Sequence, residues 1–146
     1  MESYVVNSLA ILKRIFYPNT NTVKSAWSAA VNSCYSSSIL ALNRLLFGTV
    51  WLSTPQPIGP GLAQIGVGFF YILMAFLAFR RSRIACVIIL LFSVIEVLIE
   101  VLFVIIIRNE IRLSFFIVLI SLVLAFGGFR GANAIFSHYK NSNSKT

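Results

Sequence analysis

Apolar residues fall into long runs separated by short breaks at residues 53–60, 80–83 and 108–112, with a shorter periodic stretch ahead of them. Residues 61–79 (GLAQIGVGFFYILMAFLAF), 84–107 and 113–129 (LSFFIVLISLVLAFGGF) are almost unbroken. At a rise of about 1.5 Å per residue, runs of this length approach or match the ~30 Å hydrocarbon core of a bilayer, so each is expected to be a spanning helix. Residues 25–52 are the polar exception, interrupted by Ser28, Asn32, Ser33, Ser36, Ser37, Asn43 and Arg44. Trp27 and Trp51 stand 24 positions apart, roughly 36 Å along a helix, which suits aromatic anchors at two interfaces. Asn32, Ser36 and Asn43 follow spacings of four and seven, and Ser33, Ser37 and Arg44 repeat them one position on. A helix with this double stripe spans only if the stripe faces protein or a water-filled cavity.

Ahead of these runs, Val5, Leu9, Leu12 and Phe16 recur at helical spacing, and Tyr4, Ile11 and Ile15 widen the face. Asn7, Lys13 and Arg14 lie opposite. Residues 1–17 are therefore expected to form a short amphipathic helix, either in the membrane interface or packed on the end of the bundle. Pro18 ends it and Thr22 is a candidate cap for the next helix. The intervening PNTNT does not suit a cleaved signal peptide. Pro55, Pro57, Gly59 and Pro60 mark residues 53–60 as an uncharged loop. Residues 130–146 read as a polar, fraying cytoplasmic tail. The fold expected is all-α and polytopic: four transmembrane helices in a left-handed-type bundle (about 25–52, 61–79, 84–107 and 113–129), preceded by the interfacial helix. The two halves differ too much in polarity to form an inverted repeat.

Composition narrows the class. The 146 residues are 58% hydrophobic and 11% charged, with a mean hydropathy of +0.89. A soluble domain has about 25% charged residues, so a soluble enzyme is excluded, and disorder is excluded by the hydrophobicity. The net charge of +8 would suggest nucleic acid in a soluble protein. Here the basic residues cluster between apolar runs, where they set topology. Nine of them (Lys13, Arg14, Lys24, Arg80, Arg81, Arg83, Arg130, Lys140, Lys145) fall on one side and two (Arg108, Arg112) on the other. Both termini are thus expected in the cytoplasm, in a plasma or inner membrane, with no nucleic-acid partner. Arg80, Arg81 and Arg83 add a weak attraction to anionic lipid headgroups. Cys34 and Cys86 form no CxxC and no cluster with histidine, so no metal or cofactor is expected, and their different depths toward the cytoplasmic half speak against a disulfide. His138, beside Tyr139 and Lys140, reads as solvated.

The residues that need a reason are charged and inside the runs. Glu96 and Glu100 lie four apart on one helix face, with Ser93 three residues earlier. A charge at mid-membrane costs about 2.5–3.5 kcal/mol on insertion scales, so each carboxylate must be paired, protonated or wet. Arg44 is seven residues before Trp51, and Glu100 eight before Arg108, which sets both roughly 10–12 Å below one interface. The depths favour an Arg44–Glu100 pair with Asn43 beside it, and Glu96 a turn deeper, facing Ser36, Ser37 or Asn32. Such a cluster serves as a structural ion pair, as a proton or cation pathway, or as a docking face for another membrane protein. A second feature is a small-residue face. Gly127 and Gly131 form a GxxxG, Gly128 and Ala132 repeat it, and Ser121 and Ala125 extend it. Packing inside the bundle is favoured there over a homodimer face. Gly61, Gly66 and Gly68 give a looser signal of the same kind.

No nucleophile–base pair, metal-ligand spacing or phosphate loop appears, so an enzyme is not expected. Four spans with a membrane-embedded glutamate resemble the small multidrug-resistance transporters in architecture. Those carry the key glutamate in the first span, which here has none. The reading favoured is a small integral membrane protein acting as an accessory, assembly or regulatory subunit through helix packing. The alternative is a small oligomeric proton- or cation-coupled transporter or channel using Glu96 and Glu100. Its partners would be the bilayer and either further copies of itself or a larger membrane protein.

Overall fold

A computed structural model describes residues 18–105 and 113–143. The amphipathic stretch 1–17 and the loop carrying Arg108 and Arg112 lie outside the described residues. Those described form four helices and no strand: α1 (Val23–Leu52), α2 (Ile58–Phe79), α3 (Arg83–Phe103) and α4 (Leu113–Asn143). Around the bundle the order is α2, α1, α4, α3. The largest interfaces join α1 to α2 and to α4; α3 packs mainly on α4 and only lightly on α2 and α1.

The helix ends follow local chemistry. Thr22 caps α1 in a capping box: its hydroxyl accepts from Ser25 N and the Ser25 hydroxyl accepts from Thr22 N, each at 3.1 Å. Helix α2 starts at Ile58, three residues before the expected Gly61. Pro60 fits there because a first-turn residue has no intrahelical acceptor for its N–H in any case. The α2–α3 turn is a Schellman motif, with Ser82 N bonded to Leu77 O at 3.1 Å and Arg81 N to Ala78 O at 3.0 Å. Arg81 occupies the left-handed position usually given to glycine, at φ 67°, at a cost of about 1–3 kcal/mol. Ser82 then caps α3 by accepting from Ala85 N at 3.2 Å. Helix α4 does not stop at Phe129: the expected polar tail is helical to Asn143, and Ala132 and Ile135 are buried against the bundle.

The interior is small and partly polar. Helix α1 buries Ala26, Ala29, Ala30, Ser33, Ser36, Ser37, Leu40, Ala41 and Gly48, residues that let neighbouring helices approach closely. Large apolar side chains point outward instead: Phe69, Leu73 and Phe76 on α2, Ile95, Leu98 and Leu102 on α3, Phe116, Ile120 and Phe126 on α4. A water-soluble bundle has the reverse arrangement. Three helices, α2, α3 and α4, are long and apolar enough to cross a membrane. At 30 residues α1 is long enough but too polar to qualify by composition.

Two serines of the polar stripe of α1 bond to its neighbours, while Ser33 Oγ is buried without a hydrogen-bond partner among the described residues. Ser36 Oγ donates to Ser121 O at 2.7 Å, while Ser121 Oγ donates to Ser36 O at 2.9 Å, a reciprocal clasp between α1 and α4. Ser37 Oγ donates to Tyr71 O of α2 at 2.7 Å. The small-residue face of α4 meets α1 as well. A Cβ on Gly131 would lie 2.6 Å from Ala26 O and 2.7 Å from Ala29 C, and one on Gly128 would overlap Ser33. Gly127 and Ala132 are buried on the same helix. Of the α2 glycines, Gly61 and Gly68 press on Leu52 and Leu45 of α1, whereas Gly66 faces open space.

Candidate functional site

Midway along the bundle one charged network ties three helices together. Arg44 of α1 grips Glu96 of α3 through two bonds: Nε donates to Oε1 at 3.0 Å, and Nη2 donates to Oε2. The remaining guanidinium edge reaches α2, where Nη1 donates to Gln64 Oε1 at 2.7 Å. Tyr71 of α2 adds its hydroxyl, donating to Glu96 Oε1 at 3.1 Å. The Glu96 side chain is 7% exposed and that of Arg44 20%. A fork-to-fork pair combines charge with fixed geometry, and the added donor and acceptor offset the loss of water around each ion. Aromatic contacts back the network: Tyr71 meets Phe92 edge-on at 6.2 Å, and Phe70 lies 5.1 Å from Phe92.

The pairing differs from the expected one. Arg44 takes Glu96, not Glu100, and Glu96 does not face Ser36, Ser37 or Asn32. Counting residues from the helix ends compares Cα depths. Side chains on a helix lean toward its N-terminus, and the long arginine stem leans furthest, which brings the guanidinium down to the turn of Glu96. Ser36 lies eight residues from Arg44 and Asn32 twelve, roughly 12 and 18 Å along the helix, so neither joins the site. Ser93 is buried but satisfied on its own helix, donating to Ile89 O at 2.8 Å.

Glu100 lies one turn further on, half-buried, in the wall of a recess of about 410 Å³. Asn43, Arg44, Gln64 and Ser114 supply the other polar wall, and Phe47, Trp51 and Ile99 the apolar one. Arg44 is engaged by Glu96 and Gln64, so Glu100 is the acidic side chain of the recess wall with no hydrogen bond of its own among the described residues.

Three polar members of this site were not anticipated: Gln64, Tyr71 and Ser114. Gln64 and Tyr71 are seven residues apart in an otherwise apolar run, hence on one face. That spacing was the available signal. Other named residues sit elsewhere. Arg80, Arg81 and Arg83 form the α2–α3 turn and its edge, at the opposite end from the recess. His138 is not simply solvated; it is half-buried, with Nε2 3.1 Å from Thr20 O, linking the end of α4 to the entry of α1. Cys34 and Cys86 are free thiols. Among the described residues no group of three or more His, Cys, Asp or Glu could hold a metal ion.

An all-helical fold with three membrane-length apolar helices and an inverted interior is that of a small membrane protein. The chain matches no protein family, no curated protein and no solved structure.

Proposed function

We propose that this chain is a four-span integral membrane protein of a plasma or inner membrane, with both termini in the cytoplasm, and that it serves a larger membrane complex as an accessory, assembly or regulatory subunit. It is neither an enzyme nor a nucleic-acid binder. The observation that carries the reading is the closed Arg44–Glu96–Gln64–Tyr71 network. Its charges are consumed in fixing α1, α2 and α3 to one another, so the ion pair acts as a structural pin. What the chain offers outward is then a set of large apolar faces on α2, α3 and α4. Helix α1 counts as the fourth span because its serines bond inward to α2 and α4.

The test is the native mass of the gently solubilised protein, with every co-purifying chain identified. A stoichiometric larger membrane protein is the expected result. A partner-free homo-oligomer overturns the reading and favours the second one.

That second reading, proton- or cation-coupled transport, is supported by Glu100 in the recess beside Asn43 and Gln64. It expects Glu100→Gln to fold normally and to abolish pH-dependent flux in reconstituted vesicles. Unchanged flux, or none from the unaltered protein, sinks it.

A further inference from the structure

The turn between α2 and α3 gathers three guanidinium groups, each laid over an aromatic ring. Arg80 lies 5.4 Å from the Phe76 ring centre, Arg81 4.1 Å from Trp27 and Arg83 4.9 Å from Phe136. A guanidinium over a ring face is held in orientation while its in-plane N–H donors remain unspent. Nothing at this end of the described residues neutralises them. The two described carboxylates, Glu96 and Glu100, lie in the far half of α3, and the ion pair there belongs to Arg44.

The arginines also border a shallow recess of about 390 Å³, walled by Trp27, Phe76, Phe79, Arg80 and Arg81. Its rim is cationic and its floor aromatic. Phe76 and Phe79 are exposed, and the apolar wall continues up α2 through Leu73 and Phe69. A free anion needs the rim alone; an acyl chain needs the wall below it. Arg81 reaches Trp27 from a backbone position that glycine would fill without strain.

We propose that this turn is a binding seat for the phosphate of an anionic phospholipid, with Arg80 and Arg81 on the phosphate oxygens and an acyl chain along Phe76 and Phe79. The chemistry goes beyond diffuse attraction to a charged surface. It requires the guanidinium fork, which matches phosphate geometry, and the tryptophan that orients it.

The test is native mass spectrometry of the full-length protein in detergent, titrated with phosphatidylglycerol or phosphatidylcholine. Phosphatidylglycerol should be retained and phosphatidylcholine not. Arg81→Gly suits the turn backbone, so it should keep or raise the thermal midpoint of the parent while weakening phosphatidylglycerol binding about fivefold, equivalent to the ~1 kcal/mol of one basic residue at a membrane surface. Lys140→Gln, which removes the same charge from the same end, should leave binding unchanged. Should Arg81→Gly not fold, Arg81→Lys keeps the charge, removes the fork, and should weaken binding severalfold. Equal losses in Lys140→Gln and Arg81→Gly would reduce the effect to net charge and overturn the proposal. So would retention of phosphatidylcholine, or displacement of phosphatidylglycerol by an equal concentration of inorganic phosphate.

Discussion

Arg44 and Glu96 meet through two N–H···O bonds, with the Glu96 side chain only 7% exposed. Removing one partner alone leaves an ion without compensation. Arg44→Met should therefore destabilise the protein by about 3–5 kcal/mol, while Arg44→Met combined with Glu96→Leu should recover most of that loss. Tyr71→Phe removes one donor to Glu96 and should cost about 1 kcal/mol. Denaturant titration of the purified protein in detergent reads all three, and a double variant no more stable than Arg44→Met alone would rule out the pin. At this scale the sequence was legible in part. That Glu96 and Glu100 had to be paired, protonated or wet, and that Arg44 was available, followed from the cost of burying charge. Which glutamate took it did not, because a residue count gives backbone depth and the choice was made at the tip of a long side chain.

Among the helices, α1 is the one whose character depends on its neighbours. Its face toward α4 is made of alanine and serine, and Gly131 lets the two backbones meet. Gly131→Ala would set a methyl group 2.6 Å from Ala26 O, so the helices must part, at a cost of about 1–3 kcal/mol. Gly66 faces open space, and Gly66→Ala should be neutral or stabilising by up to ~1 kcal/mol through helix propensity. Thermal unfolding of the two variants side by side checks the contrast; equal shifts would deny the close contact. The small-residue face was legible from its spacing. The length of α4 was not read, because Arg130 looks like a boundary. Yet Gly131, Ala132 and Ile135 continue the spacing of the face beyond it, and Ala132 and Ile135 pack with Ala26 and Ala30 of α1 in one core cluster.

For the molecule as a whole, polarity is inverted: fully buried serines inside, phenylalanine and leucine outside. Composition alone announced that class. Orientation rests on the basic residues, and cysteine labelling in a background lacking Cys34 and Cys86 tests it. Thr54→Cys should react with a membrane-impermeant maleimide in intact cells, and Ser142→Cys only after permeabilisation; the opposite pattern would reverse the topology. Whether the outer faces of α2, α3 and α4 meet lipid or another protein was not legible, because a face that touches lipid and a face that touches another apolar helix are built from the same residues.

The clasp between Ser36 and Ser121 joins positions 85 residues apart, and that separation becomes a delay during synthesis. A ribosome adds about 5–20 residues per second, so Ser36 emerges several seconds ahead of its acceptor. Throughout that interval α1 is the least apolar of the described helices, with Ser36 lacking its α4 partner and Arg44 lacking Glu96 for most of it. Of the four described helices, the first made is thus completed by the last. A chain stopped before α4 would leave α1 without that cover, a ready target for the proteases that clear unfinished membrane proteins.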